Sequence, residues 1–171
     1  MTGGDTFSFS IDLPVRNEWR HVELLRSSVE SCFQAVFADL DGKNAISMVV
    51  GELLENALKY GNWDSEADRG SFRLRVEGDH HRAVVIVQNP VVPGDASVTE
   101  VLDTLAWIRS FRTAAEAYRA RLLAIAGAPD VGASKLGLVR VAYEGNCHVD
   151  AVVDGTTLTV TAQMTLAAPA S

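Results

Sequence analysis

The chain has little cysteine: Cys32 and Cys147 are its two thiols in 171 residues, with no metal-ligand spacing between them. A disulfide framework is not indicated. Both lie in apolar patterns and read as buried free thiols of a reducing cytoplasm. Positive charge is also scarce. Fifteen Lys and Arg stand against twenty-two Asp and Glu, a net charge of −7, which argues against nucleic acid or an anionic membrane as the main partner. No uninterrupted apolar run approaches the length of a membrane span. Residues 1–5 lack the basic region and apolar run of a secretory signal, so a cytoplasmic location is expected. There is no internal repeat, low-complexity tract or linker. A Gly-x-Ser-x-Gly elbow is missing, as is any Cys/His pairing that the sequence supports, so nucleophilic hydrolase chemistry has no footing.

What is present is ordinary in amount, 47% hydrophobic and 22% charged residues, and enough for one domain with a sizeable core. Residues 7–13 alternate apolar and polar up to Pro14, as a half-buried edge strand does. Residues 17–40 change to a helical period, with Trp19, Val22, Leu25, Val29, Phe33, Val36, Phe37 and Leu40 on one stripe, broken by Asp41-Gly42. A second helix is predicted over 43–60, ending in Gly61-Asn62. Residues 71–77 and 82–88 read as a hairpin whose second strand is central. Asn89 to Gly94 reads as a loop, followed by helices over 98–111 and 113–126, a loop over 127–135 and a short helix over 136–144. Two last strands, 147–153 and 156–166, close the order β-α-α-β-β-α-α-α-β-β. Hairpins outnumber βα units, so an α+β two-layer sandwich is expected rather than a parallel doubly wound sheet. The end residues 1–6 and 167–171 are expected to fray.

The chemistry concentrates on the second helix. In Gly51-Glu52-Leu53-Leu54-Glu55-Asn56-Ala57-Leu58-Lys59-Tyr60-Gly61 the apolar residues recur at helical spacing. Glu52 and Asn56, four apart, share the flank. Lys59 and Tyr60 follow one turn later. Oxygen donors, a cation and a carboxylate in one row suit a magnesium–triphosphate: ligands for the metal, charge for the phosphates, a base for proton transfer.

The pattern Glu-x-x-x-Asn-Ala-x-Lys-Tyr resembles the N-box of the GHKL (Bergerat) ATPase and kinase superfamily, over about residues 43–166. The resemblance implies a mixed sheet covered by helices on one face, with ATP between helices and sheet. It assigns the magnesium ligand to Asn56, the general base to Glu52, and phosphate-neighbouring places to Lys59 and Tyr60. Where the family carries Asp-x-Gly-x-Gly to hold adenine, this chain has Gln88-Asn89-Pro90. Asn89 either accepts the adenine amino group through its side-chain oxygen or starts a turn. The last glycine box is represented by Gly132-Ala133-Ser134-Lys135-Leu136-Gly137-Leu138. Gly132, Ser134, Lys135 and Gly137 are its candidate phosphate contacts, and Lys135 stands where a glycine is expected. An acidic protein can still hold a locally basic ATP pocket.

A helical insert over 96–127 replaces the usual glycine-rich lid. In this the chain is similar to small stand-alone regulators of the SiaB type. That similarity implies an ATP- and Mg²⁺-dependent Ser/Thr protein kinase acting on a small anti-anti-sigma-like partner. The alternative is a degenerate GHKL module that binds such a partner without catalysis. Arg109, Arg112, Arg119 and Arg121 on the insert read as a solvated face, or else as a surface for an acidic partner or a reach towards triphosphate. Trp107, Ile108 and Phe111 are either core or a partner or homodimer surface. Asp79-His80-His81 is a poor metal site, since adjacent strand histidines face opposite ways. His21 and His148 read as packing or surface residues.

Overall fold

A computed structural model of the chain describes residues 6–12, 19–36, 40–63, 72–79, 81–127 and 136–166. The elements follow the expected order. They are β1 (Phe7–Ile11), α1 (Trp19–Val36), α2 (Leu40–Tyr60), β2 (Arg73–Gly78), β3 (Arg82–Pro90), α3 (Ala96–Arg109), α4 (Ala114–Gly127), α5 (Gly137–Tyr143), β4 (Cys147–Asp154) and β5 (Thr157–Thr165). Helix α2 starts at Leu40, so Asp41-Gly42 lies in its first turn instead of breaking the chain ahead of it.

The strands form one sheet in the order β1-β2-β3-β5-β4. As expected, β1 is an edge and β3 the middle strand. Every pairing is antiparallel, which corrects the mixed sheet that the family resemblance implied. The reason lies in the connections. The α1–α2 pair returns the chain to the end it left, so β2 runs against β1. The three helices after β3 send β4 in the direction of β3, but β5 lies between those two strands and runs against both.

Alternation along the strands produces the two layers. Leu74, Val76, Ala83, Val85, Val87, Leu158, Val160, Ala162 and Met164 are buried on one face, where α2 supplies Ile46, Val49, Val50, Leu53, Leu54, Ala57 and Leu58. The other face carries Arg75, Gln88, Thr159, His148 and Asp150 towards solvent or only half buried. The result is an α+β two-layer sandwich.

Two turns show their chemistry directly. Asp79 accepts from the backbone amides of His81 (2.8 Å) and Arg82 (3.1 Å), closing the β2–β3 hairpin. These hydrogen bonds hold its carboxyl below the usual range. Gly155, at φ 56°, makes the β4–β5 turn in a conformation that costs glycine least.

Strand β3 runs two residues further than the sequence predicts, through Asn89 and Pro90. Gln88 is its last residue paired with β2, while β5 continues to Pro90. The missing N–H of Pro90 therefore faces a side that β2 has already left.

The cysteines divide. Cys147 is buried, donates to the Gly145 carbonyl (3.2 Å), and burial pushes its thiol up to about 12. Cys32 is exposed, against expectation: α1 meets the core through Leu25 and Val29, and Cys32, further along the same face of the helix, lies beyond that contact.

Two outcomes follow from this packing. Titration of the native protein with a chromogenic disulfide at pH 8 should release one equivalent quickly, from Cys32, and the second only after denaturation. Leu54→Ala, at 1% exposure, should cost about 2–5 kcal/mol in urea denaturation.

Candidate functional site

The apolar face of α2 fixes its polar flank. With Leu53, Leu54, Ala57 and Leu58 buried against the sheet, Glu52 and Asn56 are left half-buried at the margin, while Glu55 and Lys59 are exposed. The end of the helix is then tied to the end of β3. Gly61 N donates to Ala57 O (2.9 Å), Asn62 N to Pro90 O (2.7 Å), and Val91 N to Thr156 O (2.8 Å). These bonds set Asn56, Tyr60 and Asn89 around one small space.

That space is walled by Val101 of α3 and Leu138 of α5, besides Leu53, Ala57, Val87, Leu158 and Val160. What remains has room for about one water molecule. Asn89 is 1% exposed, and its Nδ2 donates to the neighbouring Pro90 carbonyl (3.3 Å). The Asn56 Nδ2 is buried with no acceptor among the described residues, a state that costs free energy for as long as nothing accepts from it.

Glu52 has a partner that its own helix does not supply. Arg140 of α5 donates through Nη1 to Glu52 Oε1. The same guanidinium donates through Nη2 to Glu144 Oε2 (3.1 Å) and through Nε to both Glu144 oxygens (3.3 Å each). Tyr118 of α4 donates to Glu144 Oε1 (2.8 Å), and its ring packs 4.8 Å from that of Tyr143. One cation thus bridges two carboxylates and links α2, α4 and α5.

The electrostatics follow burial. Desolvation raises the Glu52 carboxyl above its ordinary value even with Arg140 opposing. Glu144 is lowered, chiefly by its hydrogen bonds from Arg140. Arg140 is raised, chiefly by that same contact.

Gly137 explains how α5 comes so close. A Cβ built there would lie 2.7 Å from Glu52 Oε2 and 3.7 Å from Asn56 Oδ1. The glycine of Leu-Gly-Leu therefore lets the helix start pack directly onto the Glu52–Asn56 pair.

The fold brings together Glu52, Asn56 and Gly137, and places Tyr60 and Asn89 beside Asn56. Lys59 is not among them: its Nζ lies 3.1 Å from Tyr60 Oη and 4.8 Å from that ring's centre, and it lines neither of the small spaces at Asn56. Gly132, Ser134 and Lys135 lie outside the described residues. Of the insert arginines, Arg109 donates to Asp150 (2.7 Å) and to the Val149 carbonyl (2.9 Å) on the β4 edge.

Sequence reasoning missed Arg140 and Glu144. Their i, i+4 spacing was visible, but the pairing with Glu52, 88 positions away, was not. It also missed Val101 and Leu138, whose core periodicity gave no sign of which cavity they fill.

As arranged, these residues do not fit a magnesium–nucleotide. The carboxylate beside Asn56 is engaged by a guanidinium, and apolar side chains fill the place in front of Asn89.

No protein-family model and no curated protein matches the chain. Among solved structures it is similar to a chain of the SiaB–SiaC complex from Pseudomonas aeruginosa, with TM-score 0.58 and 16% identity over 94% of this chain and 89% of that one. At that identity the likeness is one of fold.

Arg140→Ala strands the Glu52 carboxylate, whose side chain is only 15% exposed. The expected loss is about 1–2 kcal/mol at neutral pH, below that for a fully buried pair because Arg140 is partly in water. A raised carboxyl penalises the folded state above its ordinary pKa and stops doing so once protonated. The gap between wild type and variant should therefore narrow as the pH falls through the raised Glu52 value. Urea denaturation across pH 4–8 measures it, and Glu52→Gln/Arg140→Ala should recover part of the loss at neutral pH.

Proposed function

We propose that the protein is a signalling regulator of the SiaB kind that acts by binding a small protein partner of anti-anti-sigma type, using a GHKL-derived fold whose nucleotide cleft is closed. The observation that carries this reading is the Arg140–Glu52 contact, together with the Gly137 approach that it accompanies. The side chain that would act as base in a GHKL kinase is held by an internal cation. Val101 and Leu138 fill the space before Asn89, where the resemblance would put adenine. The shared fold with a chain of a two-protein complex supports a protein partner. The acidic charge of −7 is in keeping with a partner other than nucleic acid.

A second reading, an ATP- and Mg²⁺-dependent kinase acting on that partner, is favoured by one observation. The buried Asn56 amide has no acceptor among the described residues and lies beside Glu52 at the closed cleft. On that reading α3 and α5 withdraw before anything binds.

Thermal-shift measurement with ATP, ADP and Mg²⁺ separates the two. The partner-binding reading expects no rise in melting temperature for the wild type. A rise of several degrees that is lost in Asn56→Ala overturns it in favour of the kinase. Isothermal titration with purified anti-anti-sigma-type proteins of the same cell should give a complex insensitive to ATP and to Glu52→Ala. Transfer of labelled phosphate onto such a protein contradicts the proposal.

A further inference from the structure

Helix α3 buries Val98, Val101 and Leu105 and turns its opposite face to an open groove of about 630 Å³ that reaches Arg121 of α4. Thr99, Asp103 and Trp107 form a row along it at i, i+4 and i+8. At one end the Arg121 guanidinium carbon lies 4.2 Å from the centre of the Trp107 ring. The Arg121 Nε is buried without an acceptor among the described residues, so the ring, and no hydrogen bond from Nε, seats this cation. One turn back, Asp103 is exposed and has no ion pair among the described residues. The groove therefore has an exposed carboxylate at Asp103 and a cation–aromatic end at Arg121 and Trp107.

We infer that this groove is the docking surface for the partner protein, and that it takes an extended segment carrying a lysine or arginine two residues from an aspartate or glutamate. The inference rests on the reading that the protein works through a protein partner.

Spacing gives the pattern. Asp103 and Trp107 are one helical turn apart, about 6 Å along the axis. Side chains i and i+2 of an extended segment lie on one side at roughly 6.6 Å. A base placed over Asp103 thus puts the following acid at Arg121, where a carboxylate can engage the guanidinium. Trp107 supplies the rigid aromatic anchor that such sites favour. The net charge of −7 draws the basic residue in.

The groove is also continuous with the N-box. Glu100 and Thr104 line both it and the small space against Asn56. A segment bound there bears on the helix that closes the cleft.

The test is selection of a phage-displayed random 12-residue peptide library on the biotinylated full chain. Enrichment of sequences with a basic and an acidic residue two apart is expected. The selected peptides, made synthetically, should bind Asp103→Lys and Arg121→Met at least about tenfold more weakly and Gln163→Ala, exposed on the far face of the sheet, unchanged. Asp103 is exposed, so its variant should keep the near-ultraviolet circular dichroism of the wild type. No enrichment over bare support, or peptides indifferent to both groove variants, overturns the inference. If a protein partner binds by titration but Asp103→Lys does not weaken it, the groove is wrong while the partner reading stands. If no partner binds at all, the partner reading itself fails.

Discussion

The structure depends on the burial of one face of α2 against the centre of the sheet. Ile46, Val49, Val50, Leu53 and Leu54 are each at or below 1% exposure, as are Leu74, Val76, Val85 and Val87 opposite them. At about 25 cal/mol per Å² of apolar area, this contact fixes the rotation of the helix about its own axis. Rotation then dictates everything polar: Glu52 and Asn56 must lie on the flank that α5 approaches, and Lys59 must face water. The Asn62–Pro90 hydrogen bond locks the same helix to β3, so Asn56, Tyr60 and Asn89 converge.

A second constraint acts on that flank. A half-buried carboxylate needs compensation, and Arg140 supplies it. The cation is shared with Glu144, which also accepts from Tyr118, so the helical insert and α5 are held to α2 by one charged network. Because Gly137 has no side chain, α5 seats on Glu52 and Asn56 with Leu138 directed at the space before Asn89. Closure of the cleft is thus a joint result of charge pairing and close packing.

The sequence made the fold legible wherever a period of two or 3.6 ran unbroken. The ten elements, the edge position of β1 and the central position of β3 were all readable from side-chain patterns. The antiparallel pairing throughout was not, because strand direction depends on how helices return the chain, which a residue pattern does not encode. Asn89-Pro90 carries the strongest loop signal in its stretch, yet it continues β3 because its proline faces a side with no neighbouring strand. Cys32 sits in an apolar pattern and is exposed because the pattern does not say how far along a helix the covering core extends. At the site, Glu52, Asn56 and Gly137 were identifiable and do cluster. Arg140 was not, since its partner lies 88 residues away and only the folded chain joins them.

The central claim is that the cleft between α2, β3 and α5 is closed by the chain's own side chains. The most direct measurement is the pair of side-chain amide resonances of Asn56 and Asn89 in a ¹H–¹⁵N spectrum, followed while ATP and Mg²⁺ are added to millimolar levels. Both resonances should stay in place in the wild type. Movement of both, abolished in Asn56→Ala for the Asn89 signal, would contradict the account and open the cleft to nucleotide.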